Sequence, residues 1–254
     1  MSNLAAYVNP CKPYALFSGT FGSGCVCYIL NAGTTTPFYI PTGVCCLRAR
    51  VWGAGGGYHY CCCSSCCEMY FAGSGGGFAM KTFAVVPGCC CTVTVGAAGA
   101  YCTNGGASSF GSVVSATGGC FCNGTPGTGV GGDINRCGGA AVLCCWCNSS
   151  SLCTSKYRGG GAANYFGDGN YSSGTGTPGL SNKLDLLNLD YIGTGGVCFD
   201  PLSCSFTGAV NGGGGGQGYF GSFPGGGSGS SCQTNCYMIL TPTFIGHGLV
   251  VIEW

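Results

Sequence analysis

Residues 45–57 read C-C-L-R-A-R-V-W-G-A-G-G-G, so an alternating pattern passes without a break into glycine. The period of two puts Leu47, Ala49 and Val51 on one face, which predicts a β-strand with that face buried. The glycines that follow Trp52 offer no side chains to a core and are entropically expensive to order. The rest of the chain repeats this step between short strands and glycine runs, and we therefore predict an all-β protein.

The composition is that of neither collagen nor a disordered chain. The 254 residues include 53 glycines and 25 cysteines, and 6 % are charged, against about 25 % in ordinary soluble domains. The glycines follow no strict G-X-Y period, which excludes collagen. Aromatic residues make up 12 % and are spread along the chain, whereas disordered chains are poor in them.

The charge pattern bears on partners and on compartment. A net charge of +1 without a basic cluster predicts no nucleic-acid partner, and no apolar run approaches the ~20 residues that membrane insertion needs. Residues 1–4 (M-S-N-L) show neither the basic nor the apolar region of a secretory signal peptide. The cysteine content nevertheless favours an oxidising destination. A virus particle, made in a cytosol and later released, reconciles these observations, so we expect the chain in a virion.

The strand patterns predict two parts of the chain. Residues 1–35 have little glycine repetition and form an N-terminal attachment or assembly segment, whereas residues 36–254 form one glycine-rich domain. Residues 36–40 and 45–52 are predicted to pair as a hairpin through the turn P-T-G-V (41–44). Further strands are expected at 78–86, 89–96 and 248–254, and the last is expected to return to the sheet that residues 36–95 begin.

The clearest strand pattern is C-C-C-T-V-T-V at residues 89–95. Its alternation puts Cys89 and Cys91 on the face of Val93, and we expect both cysteines to be buried with it. Cys90 falls on the opposite face.

The glycine runs have three interpretations. Phosphate-binding loops would need a following Gly-Lys-Ser/Thr and a helix, and neither pattern is present. Flexible linkers would need Ser-rich spacers between independent domains. We favour packed polyglycine II helices, which have three residues per turn and no internal hydrogen bonds, so each N–H and C=O must bond to a neighbouring segment. The five-glycine run at residues 212–216 is expected to be one such helix.

Eight motif groups in series, between residues 36 and 254, resemble the glycine-rich domain of bacteriophage tail-fibre and adhesin proteins. They are F-Y-I-P-T-G-V (38–44) with R-A-R-V-W-G-A-G-G-G (48–57), G-G-G-F-A (75–79), V-P-G (86–88) with T-V-T-V-G (92–96), G-A-S-S-F-G-S (106–112), A-T-G-G (116–119), G-G-D-I-N-R-C-G-G (131–139), G-A-A-N-Y-F-G-D-G (161–169) and G-L-V-V-I-E-W (248–254). The resemblance implies a β-sandwich core with polyglycine II helices, carried on a virion and used in host attachment. We therefore expect a jelly-roll-like β-sandwich with packed polyglycine II helices and long Gly/Cys-rich loops. The family pattern does not account for the cysteines.

The cysteines have three alternative roles. Disulfides that staple loops are favoured, while free apolar thiols and a zinc or iron–sulfur site at the C-x-x-C spacings 63–66 and 144–147 remain alternatives. We predict no metal site and no cofactor. The disulfide candidates are Cys61, Cys62, Cys63, Cys66, Cys67, Cys120, Cys122, Cys144, Cys145, Cys147, Cys232 and Cys236.

Catalytic signatures are lacking in the sequence. The chain has two histidines, no G-x-S-x-G motif and no recognisable acid/base pair of carboxylates, so we do not expect an enzyme. Aromatic residues in the glycine-rich loops are better candidates for binding a receptor or glycan, because they offer rigid contact area; core packing between glycine segments is the competing interpretation. The candidates are Tyr58, Tyr60, Tyr70, Phe71, Phe121, Trp146, Tyr165, Phe166, Tyr171, Tyr219 and Phe220.

The sequence therefore predicts a virion structural protein, a tail-fibre or adhesin-type component that assembles with copies of itself and other virion proteins and attaches to a host surface receptor or glycan. A capsid or tail decoration protein is the first alternative. A Cys-rich metal- or redox-binding module is the second.

Overall fold

A computed structural model describes residues 15–17, 26–29, 32–63, 67–121, 124–147, 153–170, 199–200, 205–206, 223–227 and 246–254. These residues form an all-β structure without a helix, and none of their elements is a helix that could cross a membrane. The strands are β1 Ala15–Phe17, β2 Val26–Ile29, β3 Thr34–Tyr39, β4 Cys46–Trp52, β5 His59–Cys63, β6 Cys67–Phe71, β7 Phe78–Ala84, β8 Cys90–Val95, β9 Ser108–Phe110, β10 Val114–Ala116, β11 Gly129–Val130, β12 Ile134–Arg136, β13 Val142–Cys147, β14 Cys153–Arg158, β15 Phe199–Asp200, β16 Ser205–Phe206 and β17 Leu249–Glu253.

Two antiparallel sheets make up the main body. The first has the strand order β1-β2-β17-β4-β7-β12, and the second has the order β11-β10-β9-β8-β3. The pairs β5–β6, β13–β14 and β15–β16 form separate two-stranded sheets. We call the first two the six-stranded and the five-stranded sheet.

The core lies between these two sheets. Leu47, Ala49 and Val51 of β4 are fully buried there, as their alternation predicted, and they pack with Val250 and Ile252 of the neighbouring strand β17. The five-stranded sheet contributes apolar side chains from β8, β9 and β10 to the same cluster, namely Val93, Val95, Phe110, Val114 and Ala116.

The second face of β4 is buried as well, which the alternation alone did not predict. Trp52 packs against Phe78 of β7 with ring centroids 4.7 Å apart and ring planes tilted by 54°, and Leu249, Val251 and Ala163 complete this second apolar cluster. The six-stranded sheet is therefore covered on both faces near the point where the glycines begin.

Charged residues occupy the same outer face further along the strands. Glu253 of β17 is 1 % exposed and lies opposite Arg48 in the β4–β17 register. Its carboxylate accepts a hydrogen bond from Arg48 Nε and another, 2.6 Å long, from Arg50 Nη2. Two guanidinium groups thus satisfy the buried carboxylate, as a buried charge requires.

The closing strand returns to the sheet, as the sequence predicted. β17 lies between β4 and β2 and is antiparallel to both. Of the described parts of residues 1–35, β1 and β2 belong to the same sheet, and residues 34 and 35 begin β3 of the five-stranded sheet. A domain boundary at residue 35 stays a prediction.

The predicted hairpin of residues 36–40 with 45–52 is wrong. The turn exists, since Val44 N–H donates to the Pro41 carbonyl at 3.2 Å and Gly43 has φ 83°. However, β3 pairs with β8, and β4 pairs with β17 and β7. The turn therefore carries the chain from one sheet to the other, because each strand finds its partner in a distant part of the sequence.

The predicted burial of Cys89 is also wrong. β8 begins at Cys90, and Cys89 is exposed just before it, beyond the end of the core. Cys91 is partly buried and packs against the core beside Val93, and Cys90 is exposed as expected.

Candidate functional site

The glycine-rich segments between the strands lie against one another and form a second body. They comprise residues 53–57, 73–77, 103–106, 117–120, 138–139, 160–163 and 225–227, which we call the glycine bundle. Segments 53–57 and 73–77 run antiparallel: Gly53 N–H donates to the Gly77 carbonyl at 3.0 Å and Gly56 N–H to the Ser74 carbonyl at 2.9 Å.

The backbone hydrogen bonds of residues 74–77 repeat with a period of three. Ser74 N–H donates to the Cys120 carbonyl at 2.9 Å and Gly75 N–H to the Gly139 carbonyl at 2.9 Å. Gly76 N–H donates to the Gly225 carbonyl at 2.8 Å, and Gly77 N–H returns to the first neighbour, at the Thr117 carbonyl, at 3.1 Å. Three different segments thus accept hydrogen bonds from the amides of this one.

The acceptors of the same segment follow the same period. The Gly73 and Gly76 carbonyls accept from Gly160 and Ala163, three residues apart in one neighbour, at 3.1 and 3.0 Å. Segment 53–57 likewise donates to three neighbours in turn. Gly53 and Gly56 bond to residues 77 and 74, Ala54 and Gly57 bond to residues 106 and 103, and Gly55 N–H donates to the Gly246 carbonyl at 2.8 Å.

Close backbone contacts explain why these positions are glycine. A Cβ atom on Gly75 would come within 3.0 Å of the Gly161 backbone, and one on Gly56 would come as close to the Cys120 backbone. A Cβ on Gly53 would meet the Thr117 carbonyl in the same way. Since the obstacle in each case is backbone rather than a flexible side chain, no rotamer change relieves it.

The bundle has two different ends. At the sheet end, segment 53–57 continues from β4 and segment 73–77 continues into β7. At the opposite end, which we call the tip, the chain between these segments forms the β5–β6 hairpin. The β13–β14 hairpin contacts it through β14 and β6.

An aromatic pair lies at the tip, just beyond Gly57. The rings of Tyr58 and Tyr101 meet edge to face with centroids 5.6 Å apart, and Tyr101 is 50 % exposed. Cys102 N–H donates to the Tyr58 carbonyl at 2.8 Å, and Gly57 N–H donates to the Thr103 carbonyl at 3.0 Å. The backbone that carries both rings is thereby tied to the bundle.

The structure places the predicted aromatic candidates in two groups. Tyr58 is at the tip, and Tyr60 and Tyr70 are opposite each other in the β5–β6 register. Two more candidates belong to the hairpins at the tip, β5–β6 and β13–β14, which we call the tip hairpins. Phe71 is opposite His59 in the first, and Trp146 is opposite Thr154 in the second. Phe121 is partly buried, and its N–H donates to Asn104 Oδ1 at 3.1 Å. Tyr171, Tyr219 and Phe220 lie outside the described residues, as does the run 212–216.

Tyr165 and Phe166 lie at the sheet end instead. They are 41 % and 50 % exposed, with rings at 90° and centroids 5.2 Å apart. Buried Asn164 shapes their turn, because its Oδ1 accepts from Phe166 N–H at 2.9 Å and its own N–H donates to the Gly167 carbonyl at 3.0 Å. The candidates therefore belong to two surfaces and not to one.

Sequence reasoning missed Tyr101. Its setting, G-A-Y-C-T-N-G-G (99–106), is an aromatic residue between glycines, which is the same signal that selected Tyr58. What the sequence did not reveal is that the two rings come together, because that contact depends on how segments 53–57 and 103–106 lie in the bundle.

Several cysteines with described side chains are free thiols: Cys45, Cys46, Cys89, Cys90, Cys91, Cys120 and Cys137. Cys120 was a disulfide candidate, and its backbone is part of the bundle. Seven further candidates belong to strands of the β5–β6 and β13–β14 hairpins: Cys61, Cys62, Cys63, Cys67, Cys144, Cys145 and Cys147. Four others lie outside the described residues: Cys66, Cys122, Cys232 and Cys236. Disulfides at these positions stay a prediction.

The described residues hold one histidine in a defined hydrogen bond and no cluster of metal ligands. Within the described ranges, no group of three or more His, Cys, Asp or Glu side chains is arranged to hold a metal ion. His247 lies just before β17, where its Nδ1 accepts a hydrogen bond from Ala98 N–H at 2.9 Å. Burial lowers the pKa of this imidazole, so it is held neutral as an acceptor.

Comparison of the chain with models of known protein families and with curated proteins gives no match.

Proposed function

We propose that the chain is a virion structural protein of the phage tail-fibre or adhesin type, which attaches the particle to a host surface receptor or glycan. Its body would be a jelly-roll-like β-sandwich, with packed polyglycine II helices as the glycine bundle. The period of three in the hydrogen bonds of residues 73–77 supports the second part, because polyglycine II has three residues per turn and no internal hydrogen bonds.

The observation that carries the functional proposal is the Tyr58–Tyr101 pair at the tip of this bundle. Binding residues are commonly placed on loops that a stiff scaffold positions, and exposed aromatic rings supply contact area at a low cost in conformational entropy. Segments 53–57 and 73–77 contain no charged side chain, so hydrogen bonds between backbones fix the position of the tip. We infer that the tip is the surface that meets the host.

The rest of the proposal concerns the particle. A protein that attaches a virion to a host must also be held on the virion, so we propose contacts with copies of this chain and with other virion proteins. The localisation on an extracellular particle and the absence of enzymatic activity belong to the same proposal.

A capsid or tail decoration protein is the second candidate, and the Tyr165–Phe166 turn favours it. The two rings are exposed at the sheet end, far along the bundle from the tip. Exposed aromatic residues on a hydrogen-bonded turn are typical anchors of a protein interface. A decoration protein would use this turn to hold another virion protein, and the tip would not be needed for binding.

A binding experiment separates the two candidates. Fluorescently labelled protein is applied to an array of bacterial lipopolysaccharides and capsular polysaccharides and to intact bacterial cells. We expect Tyr58→Ala/Tyr101→Ala to weaken binding by about tenfold or more, which corresponds to about 1.4 kcal/mol. Tyr165→Ala/Phe166→Ala is the matched control and should bind like the wild type.

Host attachment through the tip is refuted if the tip variant binds as tightly as the wild type. Binding by the wild type to none of the surfaces, together with loss of particle association in the Tyr165→Ala/Phe166→Ala variant, supports the decoration protein instead.

A further inference from the structure

Four exposed cysteines gather at the end of the body that lies away from the glycine bundle. Cys45 and Cys46 stand at the start of β4 in the six-stranded sheet, and Cys89 and Cys90 stand at the start of β8 in the five-stranded sheet. We call this surface the cysteine end.

Two crossing turns bring these cysteines to the same end. Residues 41–44 lead from β3 to β4, and residues 85–89 lead from β7 to β8, so both turns pass between the sheets. Ile40 N–H donates to the Cys89 carbonyl at 2.9 Å, and Val85 N–H donates to the Cys45 carbonyl at 2.9 Å. The backbone beside the first turn is thus hydrogen-bonded to the backbone beside the second turn at two points.

The cysteine end carries no charged side chain. Residues 39–46 and 84–91 contain no Asp, Glu, Lys or Arg. Tyr39 and Val86 are 62 % and 65 % exposed beside the cysteines. A second copy of the same surface would meet it without like-charge repulsion, which otherwise opposes self-association.

A disulfide between Cys46 and Cys90 of one chain does not fit this arrangement. Alternation along the strands puts Cys46 on the outer face of one sheet and Cys90 on the outer face of the other. Facing sheets lie about 10 Å apart, whereas the Cα atoms of a disulfide are usually about 4.4–6.8 Å apart. All four thiols are free, and the chain has an odd number of cysteines, 25, so complete pairing within one chain is impossible.

Cys91, next to these residues, is the least available of the group. Its side chain is partly buried against the core. Burial, and then its neighbours Cys90 and Cys89, raise the pKa of the Cys91 thiol, and a thiol with a raised pKa is a poorer nucleophile at neutral pH.

We propose that the cysteine end is the contact between two copies of this chain, and that disulfides between the copies lock it after the chain reaches oxidising surroundings. The proposal rests on the self-assembly part of the proposed function and is independent of host attachment. A small disulfide such as oxidised glutathione is the oxidant. A thiolate of one copy attacks it, forms a mixed disulfide and releases one glutathione thiolate.

The second copy completes the exchange. Its thiolate attacks the protein sulfur of the mixed disulfide, which forms the Sγ–Sγ bond between the copies and releases the second glutathione thiolate. In sum, two protein thiols are oxidised to one disulfide, and one glutathione disulfide is reduced to two thiols.

The test uses the reduced full chain as an equal mixture of ¹⁴N- and ¹⁵N-labelled protein, exposed to oxidised glutathione. We expect a covalent dimer on non-reducing gels, reversed by dithiothreitol, and disulfide-linked peptides that join a ¹⁴N segment to a ¹⁵N segment at Cys45, Cys46, Cys89 or Cys90. The variant with all four residues changed to serine should lose most of this dimer. Cys137→Ser, which removes an exposed cysteine elsewhere, is the control and should dimerise like the wild type.

Three outcomes overturn the proposal: undiminished dimer in the four-serine variant, disulfides at the cysteine end that join only segments of the same isotope, and no dimer in the wild type. Since the four side chains are exposed, the serine variant should fold, and its thermal unfolding is measured to confirm that. A chain that cross-links here but binds no host surface would refute host attachment alone.

Discussion

At the scale of single residues, the glycines of the bundle differ from the glycines of the turns. Gly75 has backbone on every side, and a Cβ there would come within 3.0 Å of the Gly161 backbone. Gly43 has φ +83° and nothing within 4 Å of a Cβ. The first glycine is required by close packing, and the second by the left-handed backbone of a turn.

We expect Gly75→Ala to lower the free energy of unfolding by more than about 3 kcal/mol, beyond the ~1 kcal/mol of an average substitution. Gly43→Ala meets only the left-handed backbone penalty of about 1–2 kcal/mol. Urea unfolding of both variants beside the wild type makes the comparison. Equal losses of unfolding free energy in the two variants would mean that the bundle accommodates a methyl group at Gly75 as easily as an exposed turn does.

His247 makes the stability depend on pH. Its Nδ1 accepts a hydrogen bond from Ala98 N–H. Protonation of Nδ1 would remove this acceptor and place two N–H donors face to face. Because the folded-state pKa is lowered by burial, the unfolded chain binds the proton more readily. The stabilisation is therefore complete above about pH 6.5, the ordinary histidine pKa, and falls as the pH drops below it.

The variant His247→Asn keeps an acceptor at the δ position and cannot titrate in this range. Thermal midpoints at pH 7.5 and pH 5.5 should then differ less in His247→Asn than in the wild type. His59→Gln changes the other histidine of the chain and should keep the wild-type difference. If His59→Gln abolishes the pH dependence and His247→Asn retains it, the role given to His247 is wrong.

At the scale of elements, the sequence predicted strands better than it predicted their partners. The period of two identified β4, β7 and β8, since each presents one face to the core between the sheets. The closing run of β-prone residues, L-V-V-I, identified β17. Pairing depends on contacts between distant residues, such as Leu249 with Trp52 in the β17–β4 register. A short turn after β3 therefore suggested a hairpin where the chain instead crosses between sheets.

The site was predictable to the same limited extent. The position of aromatic residues among glycines identified Tyr58, Tyr165 and Phe166 as candidates. The sequence does not reveal, however, in which direction each glycine-rich segment runs through the bundle. The segment 160–163 runs toward the sheets, because Gly160 bonds to Gly73 and Ala163 to Gly76. That direction puts Tyr165 and Phe166 at the end opposite to Tyr58.

Two deletions test how the elements depend on one another. Removing residues 249–254 takes away a strand between β2 and β4, together with the buried side chains Val250 and Ile252. We expect this variant to lose cooperative unfolding. Replacing residues 59–71 by Asn-Gly, a favoured two-residue turn, should cost little, because segments 53–57 and 73–77 are already adjacent through the Gly56–Ser74 hydrogen bond.

Differential scanning calorimetry measures both variants. For the hairpin replacement, we expect the thermal midpoint to fall by less than about 8 °C, the effect of about 2 kcal/mol in a protein of this size. A larger fall, or the loss of a single transition, would show that the tip hairpin holds the bundle together instead of projecting from it.

At the scale of the whole molecule, the two-sheet body and the glycine bundle are stabilised by different interactions and are joined through the strands β4 and β7. The two-sheet body buries apolar side chains such as Phe110 and Leu47, which stabilise it by the hydrophobic effect. The glycine bundle has few side chains to bury, and its segments are joined by backbone hydrogen bonds to several neighbours. A mostly uncharged, glycine-rich composition suits the second kind of cohesion, and aromatic residues can then be displayed at the tip.

Hydrogen–deuterium exchange of the amides in residues 53–57 and 74–77, followed by mass spectrometry, tests the proposed bundle most directly. Each of these amides donates to a carbonyl of another segment, so we predict that they exchange as slowly as the core strand β17, through global unfolding only. The exposed turn at residues 42–43 provides the fast-exchanging reference. Exchange of residues 53–57 and 74–77 at the rate of that turn would contradict the bundle and leave the glycine runs as flexible linkers.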